Sequence, residues 1–353
     1  VDVYRPADLV EEILRIYGYD NIAIPEKINA TLNVVSKPNP ELLKRNISIM
    51  LASNGFYEIM NNSLTKEAYT IEMDSFDESR NVRILNPLSS DLNVLRQSLL
   101  FGGLKSIENN HNHKIFDIKF FEFGNTYFYD ASKKQEGAKA LNPYSEIYNL
   151  DLFITGKDKE KLWNNTPQNV DFYELKKYVL GVLHKLNIDI DKVEMSEGKQ
   201  THYEYSIVYS LNGVELCTLG KLSQKTLKLF DLKKEVYHAT MNWDNLLKVN
   251  KETKPIRYEA LPKFPSVRRD LALIIDKNVN FEQIKSVAYA AENKILAGIN
   301  LFDIYTGDKI PEGKKQYALS FTLLDTQKTL TDKIIEKTMA KIQSAIEQQL
   351  KAT

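Results

Sequence analysis

The pattern of apolar and polar positions divides the chain into segments with helical period and segments with strand-like period. Apolar residues recur at helical spacing between Asp8 and Tyr17, and Gly18 ends that segment. A polar stretch with two prolines follows. The pattern therefore predicts a first part, residues 1–30, that holds one helix and its exit.

Helical and strand-like segments then alternate through residues 38–250. Asn39, Pro40 and Glu41 have the order of an N-cap, a first-turn proline and an early acid, and Asn54 and Gly55 end the helix that follows. Further segments are a strand over 56–64, a helix around 99–107, strands over 118–128 and 147–155, a capped helix from 171 and a hairpin at 212–213. This pattern predicts a mixed sheet with helices.

The last part, residues 261–353, follows a polar, lysine-rich linker. Its pattern predicts the order strand, helix, strand, strand, helix, which is the split βαβ arrangement that single-stranded RNA readers often use. The predicted fold class of the whole chain is α+β, with a mixed, mainly antiparallel core and a ferredoxin-like C-terminal domain. Fold by itself does not establish RNA binding.

The amino-acid composition limits the classes of protein to which this chain can belong. Lys plus Arg and Asp plus Glu both number 47, so any basic surface must be local. A hydrophobic content of 43% is typical of a soluble globular protein, and the single cysteine, Cys217, fits a reducing cytoplasm. No apolar run approaches the roughly 20 residues of a membrane span, and no signal peptide is recognisable. We expect a cytoplasmic chain that is a piece of a longer protein.

An acidic cluster near the start of the chain is a candidate metal site. Asp8, Glu11 and Glu12 stand at i, i+3 and i+4, and Asp2 precedes them by six residues. Mg²⁺ typically takes one or two protein carboxylates and several waters. The same acids also suit the positive end of a helix dipole at a solvated helix start, and spacing alone favours that interpretation.

The central part lacks the usual elements that bind nucleotides. No arginine occurs between Arg96 and Arg257, and neither Walker-type nor dinucleotide glycine spacing is present. The five histidines do not follow a metal-binding spacing, and no serine has nucleophile-elbow glycines. We therefore assign no catalytic residue to this chain.

Aromatic and basic residues cluster in the C-terminal part. Splayed bases stack on aromatic rings and phosphates pair with cations, so these residues are candidate RNA contacts. They can equally be ordinary core or edge residues. The set comprises Phe264, Arg268, Arg269, Phe302, Tyr305, Lys309, Lys314, Lys315 and Tyr317.

Several of these stretches together resemble the C-terminal part of the β subunit of bacterial phenylalanine–tRNA ligase. The N-terminal match is DLVEE at 8–12 with RIYGYDNI at 15–22. The central match is NPLSSD at 86–91, LRQSLL at 95–100 and FEFG at 121–124. The C-terminal match is FPSVRRDL at 264–271, FDIYTG at 302–307, IPEGKK at 310–315 and TLTD at 329–332. The resemblance spans nearly the whole chain.

The resemblance implies an α2β2 ligase in which the α subunit makes phenylalanyl-adenylate from ATP and charges tRNA(Phe). It implies that residues 38–250 form a catalytically silent core like that of class II synthetases, and that 261–353 bind the anticodon. From the aromatic and basic set we predict that the RNA contacts of this domain are Phe264, Arg268, Arg269, Phe302, Tyr305, Lys314 and Lys315. Class II cores hold ATP with an Arg-x-Glu strand motif, whereas Phe120 stands two residues before Glu122 here. The chain alone is therefore expected to be inactive, and no editing activity is expected.

The resemblance also implies a magnesium ion shared with the α subunit, with Asp2, Asp8, Glu11 and Glu12 as its β-subunit ligands. One departure from the family is GKLSQ at 220–224, where relatives often have Leu-His-Pro, so the role of this loop stays open. Two other interpretations stay open as well. The chain could be a free-standing RNA-binding or scaffold protein, or an independent enzyme that uses the carboxylates for metal-assisted hydrolysis.

Overall fold

The computed structural model describes residues 3–27, 39–87, 89–134, 141–253, 256–258, 260–307 and 310–352. The chain divides into two compact units, Val1–Ile256 and Arg257–Thr353. The predicted α+β class is confirmed, with antiparallel pairing dominant in the sheets of both units. The finer division into parts 1–30, 38–250 and 261–353 stays a prediction.

The described residues of the first unit form seven α-helices. They are α1 (Pro6–Tyr17), α2 (Pro40–Ser53), α3 (Ala68–Glu72), α4 (Leu100–Asn112), α5 (Phe172–Lys185), α6 (Gln224–Leu229) and α7 (Trp243–Glu252). Two of the predicted starts have the expected caps. The Asn39 side chain accepts hydrogen bonds from the backbone of Glu41 and Leu42, and the Asp171 side chain accepts one from Glu174.

The strands of the first unit form one large sheet and one small sheet. In chain order they are β1 (Tyr57–Glu58), β2 (Leu64–Thr65), β3 (Val82–Arg83), β4 (Val94–Leu95), β5 (Ile118–Tyr129), β6 (Tyr144–Thr155), β7 (Glu194–Glu197), β8 (Tyr203–Leu211), β9 (Val214–Leu222) and β10 (Val236–Asn242). The large sheet has the order β1-β5-β6-β10-β9-β8-β7, and only β1 pairs in parallel. The small sheet has the order β2-β4-β3.

Side-chain alternation gives the large sheet two different faces. One face is apolar along its length, with residues such as Phe121, Leu152 and Ala239, and it packs against α2, α5 and α7 to form the main core. The other face is apolar at one end only. There Phe120 and Phe153 pack under α4 and α6 in a second core cluster.

One predicted strand of the first unit is wrong. The segment 56–64 forms β1 and β2 in two different sheets instead of one continuous strand. The reason lies at Asn61, whose backbone N–H and side-chain Nδ2 donate to the two carboxylate oxygens of Glu122 at 3.2 and 2.7 Å. Asn61 thus bonds to the Glu122 side chain instead of to the backbone of β5. Strand pairing therefore stops after Ile59, whose backbone N–H still donates to the carbonyl of Phe121.

The hairpin predicted at 212–213 is confirmed. Asn212 and Gly213 join β8 to β9, and both have positive φ angles, 52° and 75°. Two successive positive φ angles are the requirement of a type I′ turn, which matches the twist of the flanking strands.

The second unit has the predicted element order. It contains β11 (Val267–Asp276), α8 (Phe281–Ala291), β12 (Leu296–Tyr305), β13 (Lys314–Leu323) and α9 (Asp332–Leu350). Its sheet has the order β11-β13-β12, so the antiparallel β13 lies between β11 and β12. The core of the unit includes Leu273 and Phe321 of the sheet with Ile284 of α8 and Ile342 of α9. One sheet face is thereby covered by helices.

Candidate nucleic-acid interface

The other face of the second unit's sheet carries the candidate RNA contacts. Register assigns each strand residue to a face, because residues that stand opposite each other point to the same side. Arg269 stands opposite the fully buried Phe321 and so belongs to the helix-covered face. Arg268 stands opposite Thr322 and belongs to the open face. The two neighbouring arginines therefore point to opposite sides of the sheet.

Arg268 and Phe302 form the centre of the open face. The Arg268 guanidinium carbon lies 5.6 Å from the centroid of the Phe302 ring, within cation–π range. The Arg268 Nε donates to Asp270 Oδ1 at 3.1 Å, but both side chains are more than half exposed. An exposed ion pair contributes only about 0–1 kcal/mol, so Arg268 can exchange it for another anion at little cost.

Tyr305 adds a second aromatic ring to the same face. It stands opposite Gln316, and its side chain is 42% exposed compared with 50% for Phe302. Gly307 allows the ring to take its position, because a Cβ at that residue would overlap the Tyr305 hydroxyl. Phe264 is half-buried and lies just before β11. Exposed rings on an open sheet face are suitable for base stacking.

Three further residues of the predicted set do not join this group. Arg269 donates to the backbone carbonyl of Arg268 and lies 3.7 Å from Asp332 Oδ1. Lys315 Nζ donates to the carbonyl of Lys277 at 2.8 Å and lies 4.6 Å from the ring centroid of Tyr317, which is itself buried. These interactions give Arg269, Lys315 and Tyr317 roles within the unit.

Two lysines of the predicted set differ in position. Lys314 stands opposite Asp276 at the end of the open face, and it is partly exposed. Lys309 lies outside the described residues. Arg268, Phe302, Tyr305 and Lys314 therefore form the open face, and the name refers to these four residues from here on.

The acidic residues of α1 are held by local contacts. The Asp8 carboxylate accepts hydrogen bonds from the backbone of Tyr4 and Arg5 and pairs with the Arg5 guanidinium at 3.0 Å. These hydrogen bonds, chiefly that of the Arg5 side chain, lower the pKa of Asp8. Glu12 pairs with Arg15 at 2.9 Å. Asp2 lies outside the described residues, and the described part of the chain contains no group of three His, Cys, Asp or Glu side chains that could hold a metal ion.

The position of the class II ATP clamp is used differently in this chain. Phe120 is buried in the core cluster under α4, where an arginine would be needed to hold a nucleotide. Glu122 is fully buried and pairs with Arg96 at 2.7 Å. Arg96 also donates through Nε to the carbonyl of Asn125 at 3.1 Å. Sequence reasoning missed this pair, since no short motif links two residues so far apart in the chain.

Comparisons with known proteins cover both units. Residues 24–243 match the family model of the phenylalanyl tRNA synthetase beta chain CLM domain, and residues 262–353 match that of the ferredoxin-fold anticodon binding domain. The beta subunit of phenylalanine–tRNA ligase from Bacteroides thetaiotaomicron is 44% identical over 354 residues, and the one from Bacillus subtilis is 32% identical over 349. These matches favour the synthetase interpretation over a free-standing scaffold protein.

The matches cover nearly all of this chain but only part of each relative. They include 100% of this chain and 43% of the Bacteroides subunit, and 98% of this chain and 42% of the Bacillus subunit. The chain therefore spans less than half the length of these relatives. Among solved structures, pyrrolysyl-tRNA synthetase from Desulfitobacterium hafniense is similar at 16% identity over 61% of this chain and 71% of that one, with a TM-score of 0.46.

One further finding concerns membranes. None of the helices in the described ranges is long and apolar enough to cross a bilayer.

Proposed function

Because this chain belongs to the phenylalanyl-tRNA synthetase beta-chain family, we propose that it is a non-catalytic part of a phenylalanine–tRNA ligase that reads the anticodon of tRNA(Phe). In this proposal the ATP-dependent chemistry belongs to an alpha subunit in an α2β2 assembly. The observation that carries the proposal is the open face, where a guanidinium and two exposed rings lie together on a unit that matches an anticodon-binding domain.

The chemistry of the open face suits unpaired bases. Anticodon bases are unstacked, so their rings can lie against Phe302 or Tyr305, and each such stack contributes about 1–3 kcal/mol. The planar fork of Arg268 can donate two parallel hydrogen bonds to a base edge or a phosphate, which a lysine cannot do. Arg269 and Lys315 are proposed as supporting residues because their cationic groups donate to carbonyls within the unit. Phe264 is proposed as a supporting residue because it is half-buried and lies before β11.

The experiment compares two neighbouring arginines. A complex of the alpha subunit with a beta subunit that carries this chain is assayed for charging of tRNA(Phe) and of tRNA with a changed anticodon. We expect Arg268→Ala to lower kcat/KM for the cognate tRNA by about ten-fold or more, the loss of one contact of roughly 1–3 kcal/mol, and to reduce anticodon discrimination. Formation of phenylalanyl-adenylate should not change.

Arg269→Ala is the matched control, since it removes the same charge from the other side of the strand. It should leave anticodon discrimination largely intact. Equal effects of both substitutions would mean that the positive charge of the unit matters and the position of Arg268 does not. Unchanged anticodon discrimination in Arg268→Ala would refute the proposal that Arg268 reads the anticodon.

The proposal extends to the magnesium ion that the family resemblance implies. The described carboxylates do not by themselves fit a metal site, because Asp8 and Glu12 are paired with Arg5 and Arg15. We propose that Asp2, Asp8, Glu11 and Glu12 can act only as partial ligands in the assembled ligase, with the other oxygens supplied by the alpha subunit and water.

Metal analysis of the assembled complex tests this point. Asp8→Ala should release bound magnesium, and it should also loosen the first turn of α1, whose backbone Asp8 caps. Glu41→Ala, an exposed acid at the start of α2, serves as the control and should retain the metal. An equal magnesium content in the two variants would show that the α1 carboxylates do not bind the metal.

A further inference from the structure

A separate cleft lies in the first unit, on the partly polar face of the large sheet. At the end of this face that α4 and α6 leave uncovered, polar side chains follow one another across the strands: Thr126 of β5, Asn149 of β6, Thr240 of β10 and Thr218 of β9. They line a cleft of about 350 Å³. That volume is at the lower end for small-molecule sites, so the cleft could hold one small ligand.

A buried hydrogen-bonded chain lies beside the cleft. His238 Nε2 lies 2.9 Å from Asp151 Oδ2, and His238 Nδ1 lies 2.8 Å from the Tyr203 hydroxyl, with all three side chains more than nine-tenths buried. Burial raises the pKa of Tyr203, so its hydroxyl keeps its proton. In the neutral tautomer that fits both contacts, this hydroxyl donates to Nδ1 and Nε2 donates to Asp151. This arrangement uses both nitrogens of His238 and leaves Asp151 Oδ1 without a hydrogen-bond partner.

The wall formed by residues 200–203 also has unused acceptors. Gln200 Oε1 and His202 Nδ1 are buried without a partner. The His202 ring stacks on Phe76, with centroids 5.4 Å apart, and burial lowers the pKa of His202 to about 3. His202 is therefore neutral near pH 7 and contributes no positive charge to the cleft.

Among the described residues that line the cleft, Glu215 is the one acid, and the lining includes no lysine or arginine. Glu215 lies at the exposed rim, where its Oε1 accepts a hydrogen bond from Thr218 Oγ1 at 3.0 Å. Arg80, which is not a lining residue, lies over the Phe128 ring with its guanidinium carbon 4.5 Å from the centroid. Sites for phosphates and carboxylates usually provide paired cations or clustered N–H donors. The lining of this cleft therefore disfavours anionic ligands.

We propose that this cleft binds a small organic amine. The ammonium group would lie near Glu215 and the acceptors of the wall, and the apolar part would lie against Phe76 and Phe128. Attraction to Glu215, and to the carboxylate of Asp151 that is bonded to the lining residue His238, favours a cation, while the lack of lysine and arginine among the described lining residues disfavours an anion. This site stands apart from the anticodon-reading function, which involves residues of the second unit.

Three probes of nearly equal size test the proposal. Benzylamine, benzyl alcohol and benzoate differ mainly in charge, and each is titrated into the full chain by isothermal calorimetry. Benzylamine should bind most tightly and benzoate least. If benzoate binds as tightly as benzylamine, or if none of the probes binds at millimolar concentration, the proposal is overturned and the cleft holds only water.

Two variants locate the binding. Glu215→Gln removes the charge at the rim, and Thr240→Val removes a lining hydroxyl without changing the shape. Each should weaken benzylamine binding by about two- to five-fold, the range expected for one exposed charge contact or hydrogen bond. Glu194→Gln, on the edge strand β7, is the matched control and should bind like the unmodified chain. Unchanged affinity in both cleft variants would place the amine elsewhere and overturn the assignment.

Discussion

At the scale of single residues, Arg268 and Arg269 differ in what they can contact. The two-residue period of β11 sends these neighbours to opposite faces of the sheet. Only Arg268 lies beside an exposed ring, whereas Arg269 lies near the N-terminus of α9. The sequence predicted the right strand, but the choice between neighbours required the register with β13.

Glycine positions in α4 show a second effect of single residues. Gly102 and Gly103 lie within the helix. A Cβ at Gly103 would overlap the ring of Phe153 on the sheet, and a Cβ at Gly102 would overlap the Asn61 side chain. The glycines therefore let α4 approach the sheet closely, at the cost of lower helix propensity.

Gly103→Ala should destabilise the first unit. The added methyl group meets a fully buried aromatic ring, and overpacking of this kind typically costs about 1–3 kcal/mol. Chemical denaturation followed by circular dichroism measures the change in free energy of unfolding.

Gly181→Ala in α5 is the control for that substitution. A Cβ at this position meets only the end of the Met50 side chain, at 3.9 Å. The change should stabilise the unit by about 0.5–1 kcal/mol, because alanine is the better helix former. If Gly103→Ala also stabilised the unit, this would contradict the inference that α4 packs closely against Phe153.

At the scale of elements, local signals predicted the helix starts and the hairpin well. The caps at Asn39 and Asp171 and the turn at Asn212 act within a few residues, so the sequence contains all the required information. The segment 56–64 was mispredicted because its end is fixed by a contact between Asn61 and Glu122, which are far apart in the chain. No local pattern encodes such a contact.

The same segment exposes apolar side chains and is our candidate for the alpha-subunit interface. Tyr57 is 73% and Met60 is 93% exposed, and Ile49 of the preceding helix is also exposed. Contiguous exposed apolar residues usually mark interfaces. The family resemblance favours the alpha subunit as the partner, and the edge position of β1 leaves this side of the sheet accessible.

Met60→Lys together with Tyr57→Asp should abolish co-purification with the alpha subunit. A charge placed in the apolar centre of an interface must be desolvated without a partner, while an exposed charge hardly affects the fold of the free chain. Met195→Lys on β7, at the opposite edge of the sheet, should leave assembly intact. Normal assembly of the double variant would refute the assignment.

At the scale of the whole molecule, the sequence predicted the element order of the second unit but not the cleft of the first. The hydrogen-bonded chain of Tyr203, His238 and Asp151 joins strands β8, β10 and β6. In the sequence, these residues are an ordinary tyrosine, a scattered histidine and an acid within an apolar run. They become a group only through the strand order β6-β10-β9-β8, which is a property of the sheet as a whole.

The proposal that the core is catalytically inactive rests on the same long-range arrangement, and it leads to the last prediction. The chain alone should show no phenylalanine-dependent ATP–pyrophosphate exchange. Holding ATP for adenylate formation requires cations at its phosphates. Here Phe120 is a core residue at the clamp position, and Arg96 is buried against Glu122 and the carbonyl of Asn125. No arginine follows Arg96 in the first unit as far as residue 256.

Radiolabelled exchange at saturating ATP measures this directly, with the alpha–beta complex as the positive control. Phe120→Arg is an informative variant, because it restores the class II pattern two residues before Glu122. We expect that it still fails to give exchange and instead destabilises the core, since an arginine there is buried without a free carboxylate. Robust exchange by the unmodified chain would contradict the proposal that the chemistry belongs to the alpha subunit.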